Sequence, residues 1–226
     1  MCGRFVLAGP GKALDRLFAL APVPEALPRY NVAPSQNVLA VRRVLDGAAT
    51  AWTPRWGLVP AWAKDAAGGA KMINARSETA ATKPAFREPL RRRRCVIPAE
   101  GFYEWTARGR RPWLFRVDDG GPFGFAGLWE RWTAPDGTTL DTAAILTTAA
   151  NPLVAPVHDR MPLILPQESL ATWLDPELQD VDALAPLCVP FPAARMSAVP
   201  VGPYVNSVAH EGPRCIEPEA SLFDPA

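Results

Sequence analysis

The sequence predicts an α+β fold, on three observations. Strand-like runs crowd the middle of the chain, and helical spacings sit towards both ends. There is no regular strand–helix alternation and no GxGxxG, which disfavours a dinucleotide-binding sheet. In order, Lys12 to Leu20 carries apolar residues at 13, 14, 17, 18 and 20, a helical spacing. Val38 to Val44 reads as a strand ending in a turn at Asp46-Gly47. Ala51 to Val59 reads as a Trp-rich strand interrupted by Pro54. Ala66-Ala67-Gly68-Gly69-Ala70 is expected to be a flexible loop. Ser77 to Arg92 reads as helical in part, limited by Pro84. Strands follow at 94–98, 102–106, 112–117, 123–132 and 140–148, the last two joined by a hairpin at Asp136-Gly137. Met161 to Leu165 reads as a short strand. Glu168 to Leu174 and Val181 to Leu187 read as short helices, and 196–208 as extended chain before a loose tail.

At 226 residues and 48% apolar content the chain can bury a substantial core as one large domain or two small ones. The 26 prolines are scattered singly, as strand ends and loops use them. Met1 leads into Cys-Gly-Arg, not into a charged region and an apolar run, so no secretory signal is expected. No apolar stretch reaches the roughly 20 residues of a membrane span. The four cysteines, Cys2, Cys95, Cys188 and Cys215, are even in number, but an expected cytosolic context argues against disulfides, and they form no CxxC pair, so no zinc site is expected. Cys95 reads as a buried strand residue. The net charge of +1 hides an asymmetry: residues 1–131 hold 21 basic against 11 acidic side chains, and 132–226 hold 3 against 12. Arginine dominates the basic half, and its planar fork suits phosphate, although a GC-rich genome would also favour it.

Four features could carry chemistry. Removal of Met1 would leave Cys2 with an α-amine (pKa about 8) two carbons from a thiol (about 8.5). That pair can condense with an aldehyde, the amine forming an imine and the thiol closing a thiazolidine; it can also serve acyl transfer. In Met72 to Thr79, Asn74 beside Arg76 could hold a phosphate or a carbonyl, or Ser77 could simply cap a helix. In Pro98 to Trp105, strand alternation puts Glu104 with Phe102 on one face and Tyr103 with Trp105 on the other. A carboxyl among aromatics would have a raised pKa suited to proton transfer, unless it is an ion-paired edge residue. In Val157 to Pro162, His158 precedes Asp159 and Arg160; it is either a proton carrier or a structural histidine held by Asp159. Trp52, Trp56 and Trp62 could form a base-stacking surface or belong to the core.

Seven motifs in order give these clusters a context: Met1-Cys2-Gly3-Arg4-Phe5, Tyr30-Asn31-Val32-Ala33-Pro34, Trp56-Gly57-Leu58-Val59-Pro60-Ala61-Trp62, Asn74-Ala75-Arg76-Ser77-Glu78, Arg94-Cys95-Val96-Ile97-Pro98, Gly101-Phe102-Tyr103-Glu104-Trp105 and His158-Asp159-Arg160-Met161-Pro162. Together they resemble the SOS-response-associated peptidase (SRAP) family, from residue 2 to about 208. The resemblance implies one domain over 1–226, with a curved, barrel-like antiparallel sheet, flanking short helices and a basic DNA groove. It implies a sensor of abasic sites in single-stranded DNA that crosslinks to the lesion through its N-terminal cysteine. By motif, Cys2 would be the nucleophile, with Asn74, Glu104 and His158 as the other catalytic residues. Gly3, Arg4, Trp62, Arg76 and Arg160 would contact DNA. No metal or cofactor is implied, nor any membrane. A monomer is expected, cytoplasmic and nucleoid-associated when bound to damaged DNA. Self-processing of Met1 is described in the family. Two other classes remain open on the residues alone. Glutamine amidotransferases also begin Met-Cys-Gly, but typically continue with Ile. A non-covalent single-strand-binding module would make Cys2 incidental.

Overall fold

The computed structural model describes residues 2–19, 27–43, 47–118 and 120–219. The chain runs β1 (Phe5–Leu7), α1 (Pro10–Phe18), β2 (Arg29–Val32), β3 (Ala40–Arg43), β4 (Ala49–Trp52) and β5 (Arg55–Trp56). A 3-10 turn at Ala67–Lys71 leads into β6 (Asn74–Arg76), α2 (Ser77–Ala80), α3 (Arg87–Arg92), β7 (Arg94–Ala99), β8 (Gly101–Trp105) and β9 (Pro112–Val117). Then come β10 (Phe123–Thr133), β11 (Thr139–Ala149), β12 (Arg160–Pro162), β13 (Ile164–Leu165), α4 (Leu170–Leu174) and β14 (Met196–Pro200). The α+β class expected from the strand-rich middle is therefore the class observed.

Among the described residues the strands form two open sheets, not a closed barrel. A five-stranded sheet runs β14-β9-β8-β1-β2, and a nine-stranded sheet runs β12-β11-β10-β7-β3-β4 with β13 on β10 and β5 and β6 on β11. The barrel-like closure implied by resemblance is thus corrected. The pairing is also not wholly antiparallel, because β5 and β6 lie parallel to β11. Parallel pairing is possible because each is a short segment reaching β11 after a long connection.

Alternation along the strands builds the core. Phe5, Phe102, Phe115 and Phe125 turn inward, and Phe102 stacks on Phe115 with centroids 5.1 Å apart. Tyr103 faces the other way, into a smaller cluster with Val6, Leu114, Val205 and Cys215. Trp56 is fully buried, with its indole N–H donating to Ile73 O at 2.9 Å. It belongs to the core rather than to a stacking surface, whereas Trp52 is half-buried edge-on against Trp129.

Several local expectations change. Ala66 to Ala70 is not a loose loop: Ala67–Lys71 is a 3-10 turn, and a Cβ on Gly57 would lie 2.6 Å from Gly69 O. That close approach of two backbones fixes the segment. Ser77 opens α2 without capping it, and its buried hydroxyl has no hydrogen-bond partner among the described residues. The extended chain ends near Pro200, and 3-10 turns follow at Pro203–Asn206 and Pro213–Ile216. Residues 209–219, expected in the loose tail, pack instead: Cys215 is buried and Glu219 N–H donates to Pro200 O at 2.9 Å. The turn at Asp46 and the final residues 220–226 lie outside the described residues.

Candidate active site

Two strands bring Cys2 and Glu104 together. In the β1–β8 pairing Phe5 lies opposite Phe102 and Val6 opposite Gly101, and Tyr103 N–H donates to Arg4 O at 3.0 Å. Glu104 is the next residue of β8, and its charge acts on the Cys2 thiol, so the two groups are neighbours. Alternation then turns Glu104 to the side of Phe102, where it is 3% exposed. Burial pushes its carboxyl up to about 7, and the charge of Asp159 adds to the rise. The Cys2 thiol is fully buried; burial pushes its pKa well up, and the charge of Glu104 adds to it. At neutral pH the thiol is therefore protonated and the carboxyl is poised to take or give a proton.

The end of β11 gathers the other groups. Asn74 and Arg76 of β6 pair with Ile145 and Thr147 on one side; Arg160 of β12 pairs with Ala149 on the other. Asn74 Nδ2 donates to Cys2 O at 2.9 Å, while its buried Oδ1 has no partner among the described residues. The side chain thus holds the Cys2 backbone and leaves an acceptor at the same place. His158 precedes β12. The Arg160 backbone N–H donates to His158 Nδ1 at 2.9 Å, which places the proton of the neutral ring on Nε2. Asp159 Oδ1 also lies 3.0 Å from Nδ1, but that side chain is 85% exposed and an accepting nitrogen cannot donate to it. Burial lowers the imidazole pKa, so the ring is neutral at pH 7 and is oriented by backbone rather than by Asp159.

The five expected DNA contacts occupy different settings. Arg76 is exposed, and Trp62 is 70% exposed. The Trp62 loop is anchored, since Trp132 Nε1 donates to Ala63 O at 2.7 Å. Gly3 is half-buried. Arg4 is buried: its Nη1 donates to Asn31 Oδ1 at 2.6 Å and Val205 O at 2.9 Å, and its guanidinium lies 5.6 Å from the Trp105 ring centroid. It lines a cavity of about 270 Å³ with Trp105, Arg110 and Asn206. Arg160 gives both terminal nitrogens to Glu78. Sequence reasoning singled out neither Glu78 nor Asn31 for a role. Asn31 Nδ2 reaches Ser207 O and His210 O, far along the chain, and no local pattern signals that contact. Among the described residues, no group of three or more His, Cys, Asp or Glu side chains could hold a metal ion.

The family model for SOS response associated peptidase (SRAP) matches residues 1–208. The chain belongs to the SRAP family. It is 43% identical over 224 residues to abasic site processing protein YoqW of Bacillus subtilis (strain 168), covering 96% of this chain and 99% of that one. It is 31% identical over 233 residues to abasic site processing protein YedK of Escherichia coli (strain K12), covering 96% and 100%. Abasic site processing protein HMCES of Gallus gallus is 33% identical over 190 residues, covering 73% of this chain and 56% of HMCES. A crystal structure of a protein from Bacteroides thetaiotaomicron superposes with a TM-score of 0.84 at 26% identity, covering 97% of this SRAP chain and 100% of that one. A second, from Bordetella bronchiseptica, gives 0.76 at 29% identity, covering 89% and 100%.

Proposed function

We propose that this SRAP protein processes abasic sites in single-stranded DNA, crosslinking to them through Cys2 once Met1 is removed. The observation that carries the reading is the buried carboxyl of Glu104, with its pKa near 7, set beside a buried Cys2 whose carbonyl is held by Asn74. An abasic deoxyribose is in equilibrium with an open-chain aldehyde. His158 Nε2–H is the donor for O4′ as the C1′–O4′ bond breaks. The Cys2 amine adds to C1′, water leaves, and an imine forms. The thiol then adds across the C=N bond, its proton passing to nitrogen, to close a thiazolidine. One water is lost overall, and no oxidant or metal takes part. Glu104 takes the amine proton and returns one to the departing hydroxyl, work suited to a group that titrates near neutrality. Asn74 Oδ1 accepts from the liberated amine and orients its lone pair. Removal of Met1 is a precondition, and Arg76 and Trp62 supply phosphate and base contacts.

The test is incubation of the Met1-free protein with a single strand carrying one abasic site, followed by a denaturing gel. A heat-stable shifted band is expected from the native sequence and none from Cys2→Ala. Retention on native gels alone would make the protein a non-covalent binder. Glutamine hydrolysis without a shift would make it an amidohydrolase.

A further inference from the structure

Arg160 is expected to grip a DNA phosphate, yet in the structure its guanidinium is already engaged in the two-bond geometry a phosphate would use. Nη1 donates to Glu78 Oε1 at 2.7 Å and Nη2 to Glu78 Oε2 at 2.8 Å. Nη2 also donates to Thr147 O at 2.7 Å. Nε is buried without a partner among the described residues. A guanidinium has five hydrogens. Glu78 and Thr147 take three, Nε–H faces no solvent, and one hydrogen on Nη1 remains. The Arg160 side chain is 13% exposed and that of Glu78 is 50% exposed, so the carboxylate covers the cation from the solvent side. A phosphate arriving from solvent can engage both terminal nitrogens of Arg160 only where Glu78 now sits.

From this geometry we infer that Glu78 is an affinity-determining residue of the DNA interface, a carboxylate that stands in for phosphate on Arg160 and must be displaced when DNA binds. The inference rests on the reading of Arg160 as a DNA contact. Three features of the fold support displacement over a permanent structural pair. Glu78 lies on α2, a single short turn, and not on a sheet strand. The Glu78 side chain is 50% exposed, so water can solvate the carboxylate once it is displaced. Thr147 O stays bound to Nη2, so the guanidinium keeps its orientation when Glu78 leaves. In the exchange phosphate replaces carboxylate on Arg160, and the carboxylate turns out into solvent. Because Arg160 is also the residue whose backbone N–H orients His158, the exchange takes place beside the reacting groups without altering that hydrogen bond.

The experiment is a double-mutant cycle on the whole, Met1-free chain. Its readout is equilibrium binding to a single-stranded oligonucleotide carrying a tetrahydrofuran abasic analogue, which has no aldehyde to crosslink, at fixed salt. Glu78→Gln keeps the shape and removes the charge, so it is expected to tighten binding about twofold to fivefold, the worth of a partly exposed ion pair. In an Arg160→Gln background the same change is expected to do nothing. A gain that persists there would reflect only the loss of a negative charge near DNA, and would overturn the inference. So would unchanged or weaker binding by Glu78→Gln. Glu78→Asp keeps the charge but cannot reach both nitrogens; it is expected to give a smaller gain in the same cycle and serves if the Gln variant is unstable, its lack of gain being equally fatal. Should Arg160→Gln alone leave binding unchanged, it is the reading of Arg160 as a DNA contact that fails.

Discussion

Glu104 carries opposing demands on one side chain. Its carboxyl titrates from the ordinary value of 4.5 up to about 7 because folding takes it out of water. With the folded pKa above the unfolded one, the favourable contribution is complete below pH 4.5 and is lost as pH rises to 7 and beyond. Glu104→Gln removes that loss. The variant should therefore be more stable than the native sequence at pH 8, by up to about 3 kcal/mol, and equal to it near pH 4. Urea unfolding at the two pH values measures this. The same variant should crosslink about 10²–10⁴-fold more slowly while binding the uncleavable analogue normally. Single-turnover time courses across pH 5.5–8.5 should lose their inflection near 7. Binding that falls in step with rate would make Glu104 a structural support. His158 is legible in sequence as a titratable group, but its tautomer is not; the Arg160 backbone N–H decides it.

At the scale of elements, two features pin connecting segments in place. Arg94 is buried without a carboxylate and spends its guanidinium on backbone carbonyls. It donates to Leu90 O and Arg91 O at the end of α3, to Trp173 O and Leu178 O around α4, and to Asp175 O. Those of α3 and α4 are carbonyls a helix end leaves unpaired. Arg94→Leu removes all five bonds and should cost at least about 2 kcal/mol in urea unfolding, with Arg94→Lys intermediate because an ammonium cannot span the same fork. The second feature is Gly57, at φ 130° and against Gly69 O. Gly57→Ala forces apart the segment bearing Trp62 and leading to Asn74. It should lower stability and weaken binding to the analogue together. Gly137→Ala is the comparison: its φ is 85°, but nothing lies within 4 Å of its Cβ. That change should cost about 1 kcal/mol of local strain and leave DNA binding unaltered.

Over the whole molecule, the basic first half and acidic second half partly cancel in space. Arg29 pairs with Glu211, Arg131 and Arg42 with Asp141, and Arg111 with Glu219, each across the two halves. Arg76, by contrast, is exposed and makes no ion pair among the described residues. Binding to single strands should weaken with salt, and Arg76→Ala should lower the slope of log affinity against log salt by about one, whereas Arg29→Ala leaves it unchanged. Titrations at four or five salt concentrations decide this, and equal slopes for both variants would refute it.

The sequence by itself determined the class of fold, the long β10–β11 hairpin, the burial of Cys95 and the facing of Glu104 with Phe102, because period and turn chemistry are local properties. Ordered motifs also determined the family. Only the tertiary structure decided which groups meet. Cys2 and Asn74 are joined through a backbone carbonyl, β6 and β12 meet at β11 from distant stretches of chain, and Arg4 and Arg160 are already occupied by Asn31 and Glu78. The open sheets and the fixed Gly57–Gly69 contact belong there too. Each depends on pairing between residues far apart in sequence, for which loop closure and burial, not local propensity, set the outcome.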